Sequence, residues 1–132
     1  PNEKVRAMAG VIVVPHLGAS TTESEDNCAV MAVTELMAYV STGSIKNSVN
    51  FPELDAGSVG EGYRIAVLHK NVPNMIGQFT ALLGKKGINM VNMANKSKGN
   101  NAYTVIDTET DPAGIAAELS AIENVYRVRT IQ

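Results

Sequence analysis

Apolar positions in the first third of the chain follow two different patterns. Residues 11–14 are four consecutive β-branched apolar residues, a run typical of a strand that is covered on both faces. From about Thr21 to about Ser41 the apolar residues recur at helical spacing, which predicts a helix that packs through one face. Gly43 follows as the expected C-terminal stop. The apolar face of this predicted helix consists of Ala29, Val30, Val33, Leu36, Met37 and Val40.

Shorter segments with regular apolar spacing follow Gly62 and predict an α+β domain. Strands are expected over residues 63–69, 88–97, 102–107 and 125–131. One helix is expected to begin at Pro73 or Asn74 and to end at Gly87. A second helix is expected to begin at Asp111–Pro112, which reads as an N-cap followed by a first-turn proline. The order β-α-β-β-α-β predicts a ferredoxin-like fold of the split βαβ type.

The stretch between these two patterns has the composition of a linker. Residues 44–62 are mostly polar, are interrupted by Phe51–Pro52, and carry glycines at positions 57, 60 and 62. We therefore predict a tail over residues 1–54, a linker over 55–62 and a separate domain over 63–132. The glycines do not predict a phosphate-binding loop, because a strand rather than a helix N-terminus follows them.

The composition of the chain excludes some classes of binding partner. The 132 residues carry a net charge of −2 with a pI near 5.6 and no basic run, so no nucleic-acid partner is expected. No apolar run reaches membrane-spanning length, so no membrane partner is expected either. The single cysteine, Cys28, fits a reducing, cytoplasmic compartment, and its place on an apolar-rich helix predicts a buried thiol. The acids of the first helical turn suit the helix dipole, and no metal site is predicted.

Candidate chemistry in the first third centres on His16. Pro15 ends the predicted strand, Gly18 permits a tight turn, and Ser20 to Glu23 have the spacing of a capping box. An imidazole at the carboxyl end of a buried strand, just before a helix, is well placed for proton transfer. The alternative stays open that His16 is structural, because a single histidine beside a strand end is more often that than a catalyst.

The motif Pro15-His-Leu-Gly-Ala-Ser-Thr21, followed by Gly43-x-Ile-x-Asn-x-Val-Asn-x-Pro52, resembles the end of the catalytic region in the D-3-phosphoglycerate dehydrogenase family, a branch of the D-2-hydroxyacid dehydrogenases. The resemblance implies that His16 exchanges a proton with the substrate hydroxyl during hydride transfer to NAD. It also implies that His16, Leu17, Gly18 and Ala19 line the nicotinamide end of the cofactor site. The family's dinucleotide fingerprint, substrate-binding arginine and histidine-orienting glutamate would lie upstream, so this chain alone is expected to be inert and to bind no NAD.

Residues 63–132 resemble an ACT domain, a small amino-acid sensor. The resemblance rests on Leu68-His-Lys-Asn-x-Pro73, on Ile76 and Phe79, and on Gly87-Ile-Asn-Met90. It implies edge-to-edge pairing of two copies and an effector, L-serine or another amino acid, bound between them. The implied effector-binding residues are His69, Asn71 and Asn89.

Two features of the ACT resemblance leave alternatives open. Asn71 and Asn89 also suit a purely structural role, shaping a loop and a strand entry. Asn74 stands where the family usually has glycine, which brings a side chain towards the implied ligand. Serine sensing is therefore expected to be weakened or lost while pairing survives.

Three hypotheses follow for the whole chain. The first is the C-terminal regulatory segment of an NAD-dependent enzyme that oxidises 3-phosphoglycerate in the first step of L-serine biosynthesis, cut from a longer protein. The second is an independent amino-acid-binding module acting on a partner enzyme. The third is a dimerisation domain whose effector site has decayed. Independently of these hypotheses, the ACT edge strands and the apolar face of the helix over residues 21–41 predict a homo-oligomer.

Overall fold

Alternating apolar residues in four short segments pair into one antiparallel sheet. The computed structural model describes residues 2–112 and 114–132. Its strands are β1 (Tyr63–Lys70), β2 (Met90–Lys98), β3 (Asn101–Thr108) and β4 (Val125–Ile131), in the spatial order β2-β3-β1-β4. Helices α1 (Glu3–Arg6) and α2 (Thr22–Thr42) precede the sheet, helix α3 (Met75–Lys85) follows β1 and helix α4 (Ala116–Ser120) follows β3. This order confirms the predicted ferredoxin-like α+β fold.

One face of the sheet packs on α3 and α4. In β1, Ile65 and Val67 point to this face, and Ile106 joins them from β3. They contact Phe79 and Leu83, which are spaced four residues apart on α3. The remaining buried members of this core are Met75, Ile115 and Leu119. The predicted apolar positions of α3 therefore form a core, because helical and strand periodicities place them on facing surfaces.

The opposite, outer face of the sheet is covered by the segment that precedes β1. Leu54 is 1% exposed and packs with Ala66, Tyr103 and Val105, and its backbone exchanges two hydrogen bonds with Ile45. The chain divides into two compact units at Thr34/Glu35, so residues 35–62 belong to the same unit as the sheet. The functional division into 1–54, 55–62 and 63–132 concerns the role of each segment and stays a prediction.

Arg64 fastens this covering segment to the sheet. Its guanidinium forms an ion pair with Asp107, with Nε 2.6 Å from Oδ1 and Nη2 3.0 Å from Oδ2. Nη1 donates to the carbonyls of Thr42 at 2.7 Å and Gly57 at 2.9 Å. Arg64 is only 1% exposed, and its bonds to the Thr42 and Gly57 carbonyls hold the chain against the sheet at both ends of the covering segment.

Helix α2 (Thr22–Thr42) confirms the helix predicted at about Thr21 to Ser41, but its apolar face is exposed instead of packing against the sheet. Tyr39 packs with the outer-face core, and Arg129 lies over its ring at 4.6 Å. The predicted packing face is exposed, with Leu36 at 62% and Val40 at 60%. At the C-terminal end Gly43 has φ 78°, and Tyr103 donates to its carbonyl at 2.7 Å. Gly43 therefore acts as the predicted stop.

Four further expectations for individual residues are wrong. Residues 11–14 form neither strand nor helix and are exposed, because the described chain offers them no neighbouring strand. Cys28 is exposed rather than buried, since no residue of α2 is buried. Thr21, not Ser20, caps α2 by accepting from the Ser24 amide at 3.2 Å. Helix α4 begins only at Ala116, with Ile115 at the N-cap, four residues beyond the predicted N-cap at Asp111.

Candidate functional site

His69 occupies the end of β1 and faces α3. Strand alternation places it on the same face as Ile65 and Val67. Its ring packs edge-on against Phe79, with the ring centroids 5.1 Å apart, and the residue is only 2% exposed. This predicted effector residue is therefore part of the packed interior in a single copy of the chain.

Both ring nitrogens of His69 have hydrogen-bond partners inside the fold. Nδ1 lies 2.9 Å from the Lys70 carbonyl and Nε2 lies 2.8 Å from the Thr104 hydroxyl. Burial lowers the pKa of His69 from its ordinary value of 6.5, and the Lys70 carbonyl opposes this shift only in part. The neutral imidazole is the form that this environment favours.

Thr104 extends the hydrogen bonds of His69 to the edge of the sheet. Thr104 lies on β3 with no measurable exposure, and Asn95 on the edge strand β2 pairs with it in register. The Asn95 amide nitrogen donates to the Thr104 hydroxyl at 2.7 Å. His69, Thr104 and Asn95 form what we call the polar row, which crosses β1, β3 and β2. Sequence reasoning missed it, because only the pairing of distant strands brings His69 next to Thr104, its diagonal neighbour across β1 and β3.

Asn71 and Asn89 lie at opposite ends of the sheet. The Asn71 amide donates to the Gly99 carbonyl at 3.0 Å, and its backbone N–H donates to the Asn100 carbonyl at 2.8 Å. Asn89 comes just before β2, whose first residue pairs with Thr108. The two ends of β3, Asn101 and Thr108, are seven residues apart, which is about 23 Å. One copy of the chain therefore does not bring the three predicted effector residues together.

Asn74 takes the left-handed backbone that its place in the loop requires. Its φ is 65° and ψ is 13°, and it forms the N-cap of α3 without a side-chain cap bond. This conformation is the one for which glycine is the usual choice and asparagine the common substitute. The Asn74 side chain lies over Gly77, into the space that a Cβ there would take. The amide thus folds across the first turn of α3.

The predicted catalytic and cofactor residues lie on one exposed turn. His16, Leu17, Gly18 and Ala19 are all exposed, and the Ser20 N–H donates to the Leu17 carbonyl at 3.0 Å. A nicotinamide ring needs an enclosed, mostly apolar surface, which this turn does not provide. These four residues by themselves therefore do not fit as an NAD site, and no catalytic step is derived from them.

Across residues 2–112 and 114–132, no three His, Cys, Asp or Glu side chains gather as metal ligands. Within the same residues, no helix is long and apolar enough to cross a membrane.

The sequence of this chain is similar to the sequences of several named proteins. No family model matches the chain. D-3-phosphoglycerate dehydrogenase of Escherichia coli (strain K12) is 29% identical over 115 residues, and its Haemophilus influenzae counterpart is 27% identical over 128 residues. These matches cover 87% and 96% of this chain. The chain is similar over most of its length to D-3-phosphoglycerate dehydrogenases. The resemblance drawn from the sequence motifs is therefore confirmed.

The chain matches only a part of each of these longer relatives. The chain spans 28% of the Escherichia coli protein and 31% of the Haemophilus influenzae protein. D-3-phosphoglycerate dehydrogenase 1 of Saccharomyces cerevisiae is 27% identical over 124 residues, with 25% of its length spanned. Among solved structures, the ACT domain from GTP pyrophosphokinase of Chlorobium tepidum has a TM-score of 0.47 at 14% identity. That match covers 53% of this chain and 96% of the ACT domain.

Proposed function

We propose that this chain is the C-terminal regulatory segment of an NAD-dependent D-3-phosphoglycerate dehydrogenase, the enzyme of the first step of L-serine biosynthesis. The observation that carries the proposal is the similarity to these dehydrogenases over 87–96% of the chain. The match to the Haemophilus influenzae protein covers 96% of the chain, so it includes both the His16 motif and the ferredoxin-like unit. Residues 63–132 are then an ACT domain that senses an amino acid, and His16 is the acid/base of a catalytic region completed elsewhere in the longer enzyme.

The effector site is proposed to form between two copies of the chain, with Asn71 and Asn89 in contact with the ligand and His69 as a buried positioning residue. Strands β1 and β2 run parallel, because each is antiparallel to β3. Strand β2 lies at the edge of the sheet, so its outer backbone groups are available to a second chain. If two β2 strands pair antiparallel, the Asn89 end of one copy approaches the His69 and Asn71 end of the other.

The chemistry of these residues suits an amino-acid ligand. A free amino acid presents a carboxylate, which accepts hydrogen bonds, and an ammonium group, which donates them. Asparagine side chains do both. L-serine, the end product of the proposed pathway, is the effector that we propose first. Because the Asn74 side chain folds over Gly77, its position is compatible with a ligand at the neighbouring loop.

The experiment is a thermal-unfolding titration of the 132-residue chain with L-serine. A ligand that binds only the folded state at a hundred times its dissociation constant stabilises by about 2.7 kcal/mol, so the melting temperature should rise by several degrees. Asn89→Ala should remove most of this rise by deleting an amide contact. Asn27→Ala, a change to an exposed amide on α2, is the matched control and should keep it.

Two outcomes would redirect the proposal. If another amino acid raises the melting temperature and L-serine does not, the site is an amino-acid sensor of different specificity. If none of the twenty amino acids does so, the chain is the dimerisation domain with a decayed effector site, the second candidate function. The exposed loop positions of Asn71 and Asn89 are the observation that keeps this candidate open, since both residues also suit turns.

A further inference from the structure

One backbone atom sets the direction of every hydrogen bond in the polar row. The Lys70 carbonyl can only accept, so His69 Nδ1, 2.9 Å away, must carry the ring proton. In the neutral ring Nε2 is then an acceptor. The Thr104 hydroxyl, 2.8 Å from Nε2, must therefore donate its proton to His69.

The hydrogen bond between Asn95 on the edge strand and Thr104 also has a fixed direction. Because the Thr104 hydroxyl proton is used by His69, its oxygen receives a hydrogen bond from Asn95, whose Nδ2 lies 2.7 Å away. The Tyr103 carbonyl, 3.5 Å from the same nitrogen, is another group that only accepts. The Thr104 hydroxyl and the Tyr103 carbonyl therefore both hold the amide nitrogen of Asn95 towards β3. The carbonyl oxygen of the same amide, Oδ1, then points away from β3, towards the exposed edge of the sheet.

We propose that Asn95 is a further effector-contacting residue, which accepts a hydrogen bond from the α-ammonium group of a bound amino acid. This inference rests on the proposed function and adds to it the residue that recognises the ammonium group. Asn95 lies on β2, the strand through which the second copy is proposed to pair, and it is joined by hydrogen bonds to His69. An outward carbonyl oxygen attracts a cationic donor and repels a carboxylate, so it discriminates between the two ends of the ligand.

His69 has a positioning role in this scheme. Its ring is 2% exposed and both nitrogens are occupied, so it acts on the ligand through Thr104 and Asn95. If His69 or Thr104 loses its part in the row, the Asn95 amide is free to turn and present its nitrogen instead. Specificity for the ammonium group then disappears even though Asn95 is still present.

The test compares L-serine with 3-hydroxypropionate, which is serine without its amino group. Calorimetry on the 132-residue chain gives both dissociation constants, and their ratio measures how strongly the ammonium group is recognised. We expect 3-hydroxypropionate to bind wild-type protein more weakly than L-serine by about tenfold or more, as for a charge-assisted hydrogen bond. Asn95→Ala and Thr104→Val should each lower that ratio to near one.

Two variants serve as controls. Thr104→Ser keeps the hydroxyl and should retain the wild-type ratio, whereas Thr104→Val keeps the shape and should lose it. If Thr104 acted through packing alone, Thr104→Val would be the variant closer to wild type. Asn92→Ala makes the same change on β2 but on the outer face, where Asn92 lies 3.4 Å from the Asp107 carboxylate, and should also retain the ratio. If Thr104→Val fails to fold, Asn95→Ala decides alone, since that side chain is exposed.

The failures of this inference and of the proposed function are distinguishable. If wild-type protein binds L-serine and Asn95→Ala keeps the full ratio, the role of Asn95 is overturned and the proposed function stands. A wild-type ratio near one overturns it equally. If wild-type protein binds no amino acid, both are overturned.

Discussion

At the scale of single residues, the structure changes how His69 is understood. Its sequence position predicts a ligand contact, whereas the fold places the ring between Phe79 and Thr104 with both nitrogens bonded. Protonation of His69 would break its hydrogen bond with the Thr104 hydroxyl, which lies inside the fold. The protonation state of His69 should therefore affect the stability of the chain as well as ligand binding.

The lowered pKa of His69 predicts a specific dependence of stability on pH. Because burial holds the folded-state pKa of His69 below 6.5, the unfolded chain binds more protons as the pH falls below about 6.5. The contribution of His69 to stability should be complete above that pH and decline below it. Urea unfolding from pH 7.5 to pH 5 should show a shallower decline in His69→Gln than in wild type.

His16→Gln is the control for this experiment. It removes the chain's other histidine, which lies on an exposed turn. A wild-type and a His69→Gln profile of the same steepness would show that His69 is protonated as readily in the folded chain as in the unfolded one.

At the scale of elements, the end of α2 is held by side chains from three strands. Arg64 on β1 bonds the Thr42 carbonyl, Tyr103 on β3 bonds that of Gly43, and Arg129 on β4 bonds those of Tyr39 and Val40. The last carbonyls of a helix lack partners within it. Cationic donors at that end also interact favourably with the helix dipole. The sheet thus fixes where the helix ends.

Arg64 should be the most sensitive residue of this attachment. Arg64→Met removes the ion pair with Asp107 and leaves that carboxylate, 17% exposed, without its counter-charge. Breaking a buried pair in this way costs about 3 kcal/mol. Urea unfolding should show a decrease of about that size in the free energy of unfolding. The dependence of this free energy on urea concentration should be unchanged.

Lys86→Met provides the matched comparison. It also removes an ion pair, with Glu118, but both side chains are more than 40% exposed. Solvent screens such a pair, so the expected loss is at most about 0.5 kcal/mol. Equal losses in the two variants would show that burial of Arg64 adds nothing to the attachment.

At the scale of the whole molecule, the exposed face of α2 predicts assembly. Val30, Val33, Leu36, Met37 and Val40 are each at least 55% exposed and follow one helical stripe. Burying an apolar side chain of this size is worth about 1.5–3 kcal/mol, and large apolar patches are uncommon on monomers. With the β2 edge, the chain has two surfaces that suit contact with another copy, and we expect a homo-oligomer.

Sedimentation at micromolar concentration tests this expectation. Wild-type protein should sediment above the 14.0 kDa of one chain. Leu36→Glu places a charge on the exposed stripe and should reduce the assembly. Ser41→Glu adds the same charge to an exposed position beside the stripe and should leave it unchanged. A wild-type monomer would contradict the expectation outright.

The sequence alone predicted those parts of the structure that depend on local periodicity. The four strands, helices α2 and α3, and the order β-α-β-β-α-β follow from the spacing of apolar residues. Gly43 ends α2 because the end of the helix requires a left-handed backbone, which glycine adopts readily. The motif around His16 and the ACT-like residues were also sufficient to indicate the relatives. These features were predictable because each depends on residues close together in the chain.

Other features depend on contacts between distant segments, and only the tertiary structure decided them. Residues 11–14 have strand composition but no partner strand, so they form none. The stripe on α2 faces solvent because Tyr39, on the other side of the helix, packs against the sheet with Arg129. Asn95, Thr104 and His69 form one row because strand pairing brings together residues up to 35 positions apart, in register for Asn95 and Thr104 and diagonally for Thr104 and His69. Register and packing partner are properties of the assembled sheet, which is why no local pattern in the sequence contained them.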